Sequence, residues 1–485
     1  MKTCQYLPRT PKEYRVYNVN IPVQYRSLLA PPEPREDRYQ YGRSLRETVP
    51  FSSLAAWVPV PDRDPIALIQ ESHQGRVKNL IPIRVGRMAS SPYGFLRGAA
   101  VVQAADSAAL PATGIQPVVC GDSHLGNFGF YRSPEGELVM DLNDFDEAHT
   151  GSWEWDLRRL TASIHVAGRE NNLSESKCSD AVVACVNAYR DEISLLAGRP
   201  LFERAFNRID LEKLTSRELT PKLAKEIERA AAKAMKRTSD RALPKFAQES
   251  EGSLKITPEP PLTTQIPPAD WDAVARALDE YLHTISPQWA RVLGGYTLVD
   301  IAQRVVGVGS VGLRAYIALL QGSTPTDVIF LQLKQARRSV LAQYVHGSKE
   351  WHAHQGQRVV EYQRALQTVS DPLLGWASVG EHQYYVRQFR NMKGTVPLDR
   401  LGGNSLCDYA GIVGLLLAKG HARTHGAAMI AGYLGKSDKP GQAFATFARS
   451  YADQTEADHA EFLRAITDGR LPQPEGEMGS AFRAG

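Results

Sequence analysis

The clearest hydrophobic pattern in the chain is a short apolar run, Val118-Val119-Cys120, which gives way to a polar loop from Gly121 to Asn127. Apolar character returns in two segments, Phe128 to Tyr131 and Leu138 to Leu142. Short apolar runs bounded by turn residues predict strands, and Ser133-Pro134-Glu135-Gly136 between the two segments predicts a hairpin. Helical spacing covers Asp156 to Arg169, Asp180 to Leu196 and the charged, Ala-rich stretch Leu211 to Phe246. Residues 248–269 carry five prolines and few apolar side chains, which predicts a loop or short irregular strands. Asp270 is then expected to cap a helix from Trp271 to Ile285 by accepting from free backbone N–H groups.

Further on the pattern changes character. Tyr296 to Val306 is rich in β-formers and runs into Gly307-Val308-Gly309-Ser310-Val311-Gly312, then into Leu313 to Leu320. A turn from Gly322 to Thr326 precedes a strand-like run, Val328 to Lys334. The remaining pattern predicts a helix over Gln357 to Val369, a strand over Tyr384 to Phe389, and helices over Cys407 to Leu417 and Gly441 to Ile466. At the other end, residues 1–60 are rich in Pro, Arg and Tyr with little periodicity and predict an extended arm packed over other elements or a partly disordered lead-in, followed by a short helix, Ala67 to Gln74. Four segments result: an N-terminal packing segment (1–110), a helical lobe with the polar loop (111–290), a β-rich lobe (291–395) and C-terminal helices that complete the helical lobe (396–485).

Composition narrows the picture only a little. A chain of 485 residues with 43% apolar and 23% charged residues has room for several domains and sizeable cores. The net charge of +4 gives no argument for nucleic acid, and basic runs such as Lys222 to Lys236 alternate with Glu226 and Glu228 in the manner of a solvated helix face. Five scattered cysteines without CxxC spacing point to a reducing compartment and no disulfide framework. The opening residues lack an apolar core of signal-peptide type, and no apolar run approaches the ~18 residues needed to span a bilayer. The expected location is the cytoplasm, with no membrane partner. Oligomeric state is left open.

The chemistry-bearing residues fall in two places. Asp122 and Asn127 lie in the polar loop after the buried run, and Asp141, Asn143, Asp144, Asp146 and Glu147 follow the hairpin. Phosphoryl transfer needs a carboxylate near the attacking hydroxyl and an amide oxygen that shares Mg²⁺ with a second carboxylate. Asp122, Asn127 and Asp144 fit those roles, with Asp146 as a further metal ligand. Alternatives at this point are a capped or Ca²⁺-like acidic turn, and a zinc site built on His124 with Asp122 or Asp144. Far downstream, Gly307, Gly309, Ser310 and Gly312 form a glycine-rich loop between two strands, an arrangement suited to covering nucleotide phosphates. Lys334 lies on an apolar strand, where a solvated lysine is out of place. It would bind phosphates, held by a helix carboxylate for which Glu361 is the first candidate and Glu350 the second. Arg84, Arg87 and Arg97 are candidate anion ligands or structural partners, as are Arg387 and Arg390. His421 and Arg423 would line an acceptor pocket or pair with Asp453 and Asp458.

Gly121-Asp122-x-His124-x-x-Asn127, followed by Asn143-Asp144-Phe145-Asp146-Glu147-Ala148 and Trp155-Asp156-Leu157, resembles the aminoglycoside and choline kinase pattern. The resemblance implies a catalytic base at Asp122, metal ligands at Asn127 and Asp144, and at Asp156 a helix aspartate that braces the catalytic loop from behind. From Ser91 through Gln454 the chain is also similar to a bacterial family classed as domain of unknown function 2252, which brings no established activity. In kinases the glycine loop and lysine precede the catalytic loop; here the order is reversed. The expected fold is therefore α+β: a protein kinase-like two-lobed fold in circularly permuted order, with a large helical lobe and a smaller antiparallel-sheet lobe. The expected function is an ATP- and Mg²⁺-dependent phosphotransferase acting on a small hydroxylated metabolite. Alternatives are a nucleotide-binding pseudokinase that regulates a partner, an ATP-dependent carboxylate-activating ligase, and a metal-dependent hydrolase without ATP.

Overall fold

A computed structural model describes residues 28–31, 33–250, 252–305, 309–347, 352–424 and 426–474. The architecture is α+β, with a large helical part and a small antiparallel sheet. Four long helices, Trp153–Glu170, Glu175–Ala197, Gly403–Ala422 and Lys439–Thr467, form the centre of the helical part. Leu157, Leu160, Val182, Tyr189, Val413, Leu416 and Phe444 meet in its core, each fully buried. The hairpin Phe128–Arg132 and Leu138–Leu142 packs on this core through Phe128, Phe130, Met140 and Leu142, so the polar loop before it is anchored from both ends.

Six antiparallel strands make the sheet, in the order Gly375–Val379, His382–Gln388, Val328–Gln335, Ala315–Gln321, Thr297–Arg304, Thr263–Gln265. Alternation along a strand gives each sheet two chemically distinct faces. Leu331, Leu333, Tyr384 and Val386 face the helix Pro268–Tyr281 in a core of their own. On the opposite face Gln332 lies across from Arg387 and Lys334 across from Tyr385, and Tyr385 belongs to the helical core. The polar face of the sheet is thus turned toward the catalytic-loop candidates. No helix among the described residues is long and apolar enough to cross a membrane.

Several local expectations need correction. The described part of the N-terminal arm is helical, over Arg35–Ser44 and Phe51–Ala55. The first of these helices packs on Ala427–Leu434 by backbone approach, with Gly42 against Met429 and Gly432 against Tyr39. Small-residue packing of this kind leaves no apolar period to read. Within 248–269 the short-strand alternative holds: Ala247–Ser250 pairs with Ser253–Ile256, and Thr263–Gln265 is an edge strand of the sheet. Asp270 is not a cap: the helix begins at Pro268, and Asp270 lies in its first turn, where its charge suits the helix dipole. Leu211 to Phe246 divides into three helices, Leu211–Thr215, Pro221–Met235 and Ser239–Phe246.

Candidate active site

The loop after Val118–Val119 is held by one buried carboxylate. Asp156, in the first turn of Trp153–Glu170, accepts from the Cys120 N–H at 2.7 Å and the Gly121 N–H at 2.9 Å. Its own carbonyl accepts from the Ser123 hydroxyl at 2.7 Å. Behind it, His421 Nε2 lies 3.1 Å from Asp156, and the other ring nitrogen lies 2.8 Å from the Tyr189 hydroxyl. A carboxylate with this many donors is fixed in place and fixes the loop in turn. Gly121 has φ +78°, and a Cβ there would come within 2.3 Å of the Glu147 carbonyl oxygen. Only glycine permits so close an approach of this loop to the acidic segment after the hairpin.

Asp122 projects from the loop with a side chain 19% exposed. Arg159 Nη2 and Nε reach its Oδ1 at 2.7 and 2.8 Å, and Arg159 also donates to Gln103 and to the Leu96 carbonyl. Burial raises the Asp122 carboxyl, Arg159 pulls the other way and Asp144 adds to the rise; the net effect is upward. Asn127 donates its amide to the Asp122 carbonyl at 2.6 Å, an arrangement that leaves its amide oxygen without a donor among the described residues. The Asn143 N–H donates to the Asn127 carbonyl at 2.9 Å and the Cys120 thiol to the Asp144 carbonyl at 3.2 Å, so Asp144 follows directly beside the loop.

Lys334, far away in sequence, reaches this place. Its ammonium lies 3.8 Å from Asp144 Oδ1 and forms a closer ion pair with Asp146. The lysine side chain is only 4% exposed, whereas Asp144 is 39% exposed and open to a ligand. Burial opposes the ammonium, but Asp144, Asp146 and Tyr385 outweigh it and raise the lysine's pKa. Burial likewise opposes ionisation of Asp144, yet Lys334, Arg387 and Lys393 hold its carboxyl below the ordinary range. Arg387 stacks over Tyr385, 5.4 Å from the ring centre, and its Nε lies 3.2 Å from Gln332. Burial and the charges of Arg387 and Lys334 push Lys393 well down, with Asp371 and Asp144 opposing them. Lys334 is thus the ion-pair partner of Asp144, and the charges of Arg387 and Lys393 act on the same carboxylate.

Other expectations are redirected. Glu361 is not the partner of Lys334: it is 2.9 Å from His352 and accepts from Gln357 at 2.8 Å. The helix Gln355–Leu366 instead turns Arg358 to the site, where its guanidinium donates to the carbonyls of Ala148, Asp146 and Arg337 at 2.5, 2.7 and 2.8 Å. Lys334 is served by the acidic segment itself, so a helix carboxylate is not required. Glu350 and Gly307 lie outside the described residues. The segment Gly309, Ser310 and Gly312 does join two antiparallel strands. Arg76 donates to the Val311 carbonyl at 2.6 Å and the Val77 N–H to the Gly312 carbonyl at 2.8 Å. Arg76 also feels the charges of Glu147 and Asp146, which ties the glycine segment to the acidic one.

Asp141, in the strand Leu138–Leu142, is turned away from the other acidic residues into a buried ion pair with Lys419. His124 is buried, and its Nδ1 accepts from the Gly126 N–H at 3.1 Å. Burial, Arg97 and Arg159 hold its pKa well below the usual imidazole range. Among the described residues no three His, Cys, Asp or Glu side chains gather as a metal-holding group, which leaves the zinc reading without a ligand set. His421 pairs with Asp156, while Asp453 and Asp458 take Arg169 and Arg63. Arg423 donates to the carbonyls of Ala365 and Ala205. Arg390 stacks on Phe246 and Phe389 and takes no part in the acidic cluster. Arg76, Arg159, Arg358 and Lys393 escaped sequence reasoning. Arg159 alone carried a local signal, one helical turn after Asp156.

Glu147 offers a stability test of this geometry. Its carboxylate accepts from the Val340 N–H at 2.7 Å, and its carbonyl from the Ser339 hydroxyl at 2.8 Å. Burial pushes its carboxyl up to about 7, against the Val340 N–H and Arg358 and aided by Asp146 and Asp122. Since the folded value exceeds the unfolded 4.5, this group's stabilising contribution is complete below about pH 4.5 and lost as pH rises through about 7. Glu147→Gln stays neutral throughout. Above about pH 8 it should exceed the wild type in stability by up to about 3 kcal/mol, and near pH 4 the two should match. Urea melts at both pH values check this; a stability difference that is the same at both contradicts it.

No curated protein and no solved structure matches the chain. Residues 76–465 match a bacterial family described as an uncharacterized protein conserved in bacteria, DUF2252. That span takes in the loop Gly121–Asn127, the acidic segment, the sheet and most of the closing helices, and the chain belongs to this family.

Proposed function

We propose that this protein is a Mg²⁺- and ATP-dependent phosphotransferase of circularly permuted kinase-like build, acting on a small hydroxylated metabolite. The observation that carries the reading is the approach of Lys334 to within 3.8 Å of Asp144, across the gap between sheet and helical part. A phosphate-binding lysine and a metal-binding aspartate must serve one nucleotide, so their convergence from distant parts of the chain is what the permuted order requires. Further support comes from order within the sheet: glycine segment between the first two long strands, lysine on the third, and a helix directly after it.

Each residue then has a task its surroundings suit. Asp122, with its carboxyl raised by burial and steadied by Arg159, orients the acceptor hydroxyl and takes its proton. Lys334, Arg387 and Lys393 attract the donor's phosphates to the sheet side of Asp144. Asn127, whose amide is oriented by the Asp122 carbonyl, and Asp144, with Asp146 beside it, are the residues to hold Mg²⁺. When bound, that ion neutralises and orients the phosphates of the donor. His421 and Asp156 keep the loop rigid so that Asp122 does not drift from its position.

The reading is tested by thermal denaturation of the full chain. ATP with Mg²⁺ should raise the melting temperature by several degrees, and Zn²⁺ or Mn²⁺ alone should not. Lys334→Met should lose most of the ATP-dependent rise. Protection by Zn²⁺ or Mn²⁺ without any response to nucleotide would favour a metal-only hydrolase and remove this reading.

A further inference from the structure

The kinase-like parts leave one cationic group without a task. Arg97 ends the helix Pro92–Gly98, which precedes the catalytic loop and docks directly on it. The Tyr93 ring meets the His124 ring edge-on with centres 6.2 Å apart. Arg159, which grips Asp122, donates on its other side to the Leu96 carbonyl at 2.7 Å, one residue before Arg97. The glycine segment passes the same spot, since a Cβ at Gly309 would lie 3.5 Å from the Arg97 carbonyl oxygen. Arg97 therefore stands where the catalytic loop and the glycine segment come together.

Its charge is unspent. Among the described residues no hydrogen bond or ion pair engages the Arg97 guanidinium, and its Nε is buried with no acceptor. Asp122 is not available to neutralise it, because Arg159 already holds that carboxylate at 2.7 Å. Arg87 adds a second cation nearby, and burial together with Arg97 pushes its pKa down to about 10. The field of Arg97 also reaches Asp122 and His124. A half-buried guanidinium with no acceptor of its own, whose charge acts on Asp122, suits an oxyanion held by a guanidinium fork. Arg84, by contrast, is enclosed in the protein and donates to the Gly98 carbonyl at 2.8 Å.

We propose that Arg97, with Arg87 beside it, binds an anionic group of the acceptor, so that the molecule phosphorylated carries a phosphate or carboxylate of its own. The word acceptor rests on the phosphotransferase reading; the anion site rests on the arginines alone. Two cationic centres then divide the work: Lys334, Arg387 and Lys393 attend Asp144 and the donor, while Arg97 attends Asp122 and the acceptor.

Inorganic phosphate without nucleotide is the probe, measured by calorimetric titration into the full chain. Wild type should bind it, Arg97→Ala should weaken binding by about tenfold or more, and Arg97→Lys should recover part of the loss. Arg390→Ala, outside both cationic centres, should bind phosphate as wild type does, because Arg390 stacks on Phe246 and Phe389. Mg²⁺·ATP should protect Arg97→Ala from heating as it protects wild type, which also shows that the variant is folded. Phosphate binding that survives Arg97→Ala, is abolished by Arg390→Ala, or is absent from wild type overturns the proposal, and a response to Mg²⁺·ATP then leaves the phosphotransferase reading standing. Binding through Arg97 with no response to Mg²⁺·ATP does the reverse. Turnover of a neutral or amine acceptor, undiminished in Arg97→Ala, overturns it as well.

Discussion

Asp122→Asn is expected to lower phosphoryl transfer by roughly 10²–10⁴-fold, the usual contribution of a positioned general base. The amide keeps the shape of the side chain and can still accept from Arg159, so the loop should stay in place. What is lost is the ability to take a proton from the acceptor hydroxyl. Among the described residues no hydrogen bond or ion pair joins the Asp122 carboxylate to Lys334 or the sheet, and its neighbours Cys120 and Gly121 are held by Asp156 rather than by Asp122 itself. Protection by Mg²⁺·ATP should therefore persist in the variant. Single-turnover assays with labelled ATP, run beside thermal melts, separate the two effects. Turnover equal to wild type would remove Asp122 from the chemistry; loss of nucleotide protection as well would mean that it supports the site rather than acts in it.

The largest expected effect on stability lies just behind the hairpin. Lys419 and Asp141 form an ion pair in which both side chains are almost wholly buried, 1% and 2% exposed. Lys419 also donates to the Thr368 hydroxyl at 3.1 Å, and Asp141 accepts from the Leu142 N–H at 3.0 Å. Lys419→Met leaves a buried carboxylate without its cation, which should cost roughly 3–5 kcal/mol of stability. Much of that penalty belongs to the orphaned charge rather than to the pair. Adding Asp141→Leu in the same chain should accordingly restore most of the loss, because an apolar pair of similar volume replaces a desolvated ionic one. Urea unfolding of the single and double variants reads this directly. A double variant no more stable than Lys419→Met would show that the ion pair itself, and not the unpaired charge, dominates.

Much of the scaffold could be read from the sequence because its elements are periodic. The strand Val328–Gln335 alternates with one face apolar and the other carrying Gln332 and Lys334, and the long helices show their buried stripes plainly. The candidate catalytic loop stood out for a different reason: Gly121, Asp122 and Asn127 lie close together in the chain, and Asp156, expected to brace the loop from behind, does accept from the Cys120 and Gly121 N–H groups. What could not be read was pairing across distance. Glu361 sits on the expected helix, but whether it or Arg358 faces the acidic segment depends on the rotation of that helix against the sheet, which no local pattern fixes. Asp141 and Asp144 look alike in sequence; Asp141 lies in the strand and is paired with Lys419, whereas Asp144 lies past the strand end and meets Lys334. Arg76 and Lys393 lie in segments whose local pattern suggests nothing, and only tertiary packing gives them neighbours of opposite charge. The first arm helix was missed because its closest approaches are made by backbone at Gly42 and Gly432, and the second is five residues long with Leu54 as its one buried side chain, too short to show a period.

On the proposed reading, two halves of a nucleotide site, inverted in chain order, close on one ligand. A crystal structure with Mg²⁺ and a non-hydrolysable ATP analogue tests it most directly. The account predicts phosphates between Lys334 and Asp144, with the ion on Asn127 and Asp144 and the Lys334–Asp146 pair yielding to the ligand. A nucleotide bound elsewhere, with Lys334 and Asp146 still paired, would contradict it.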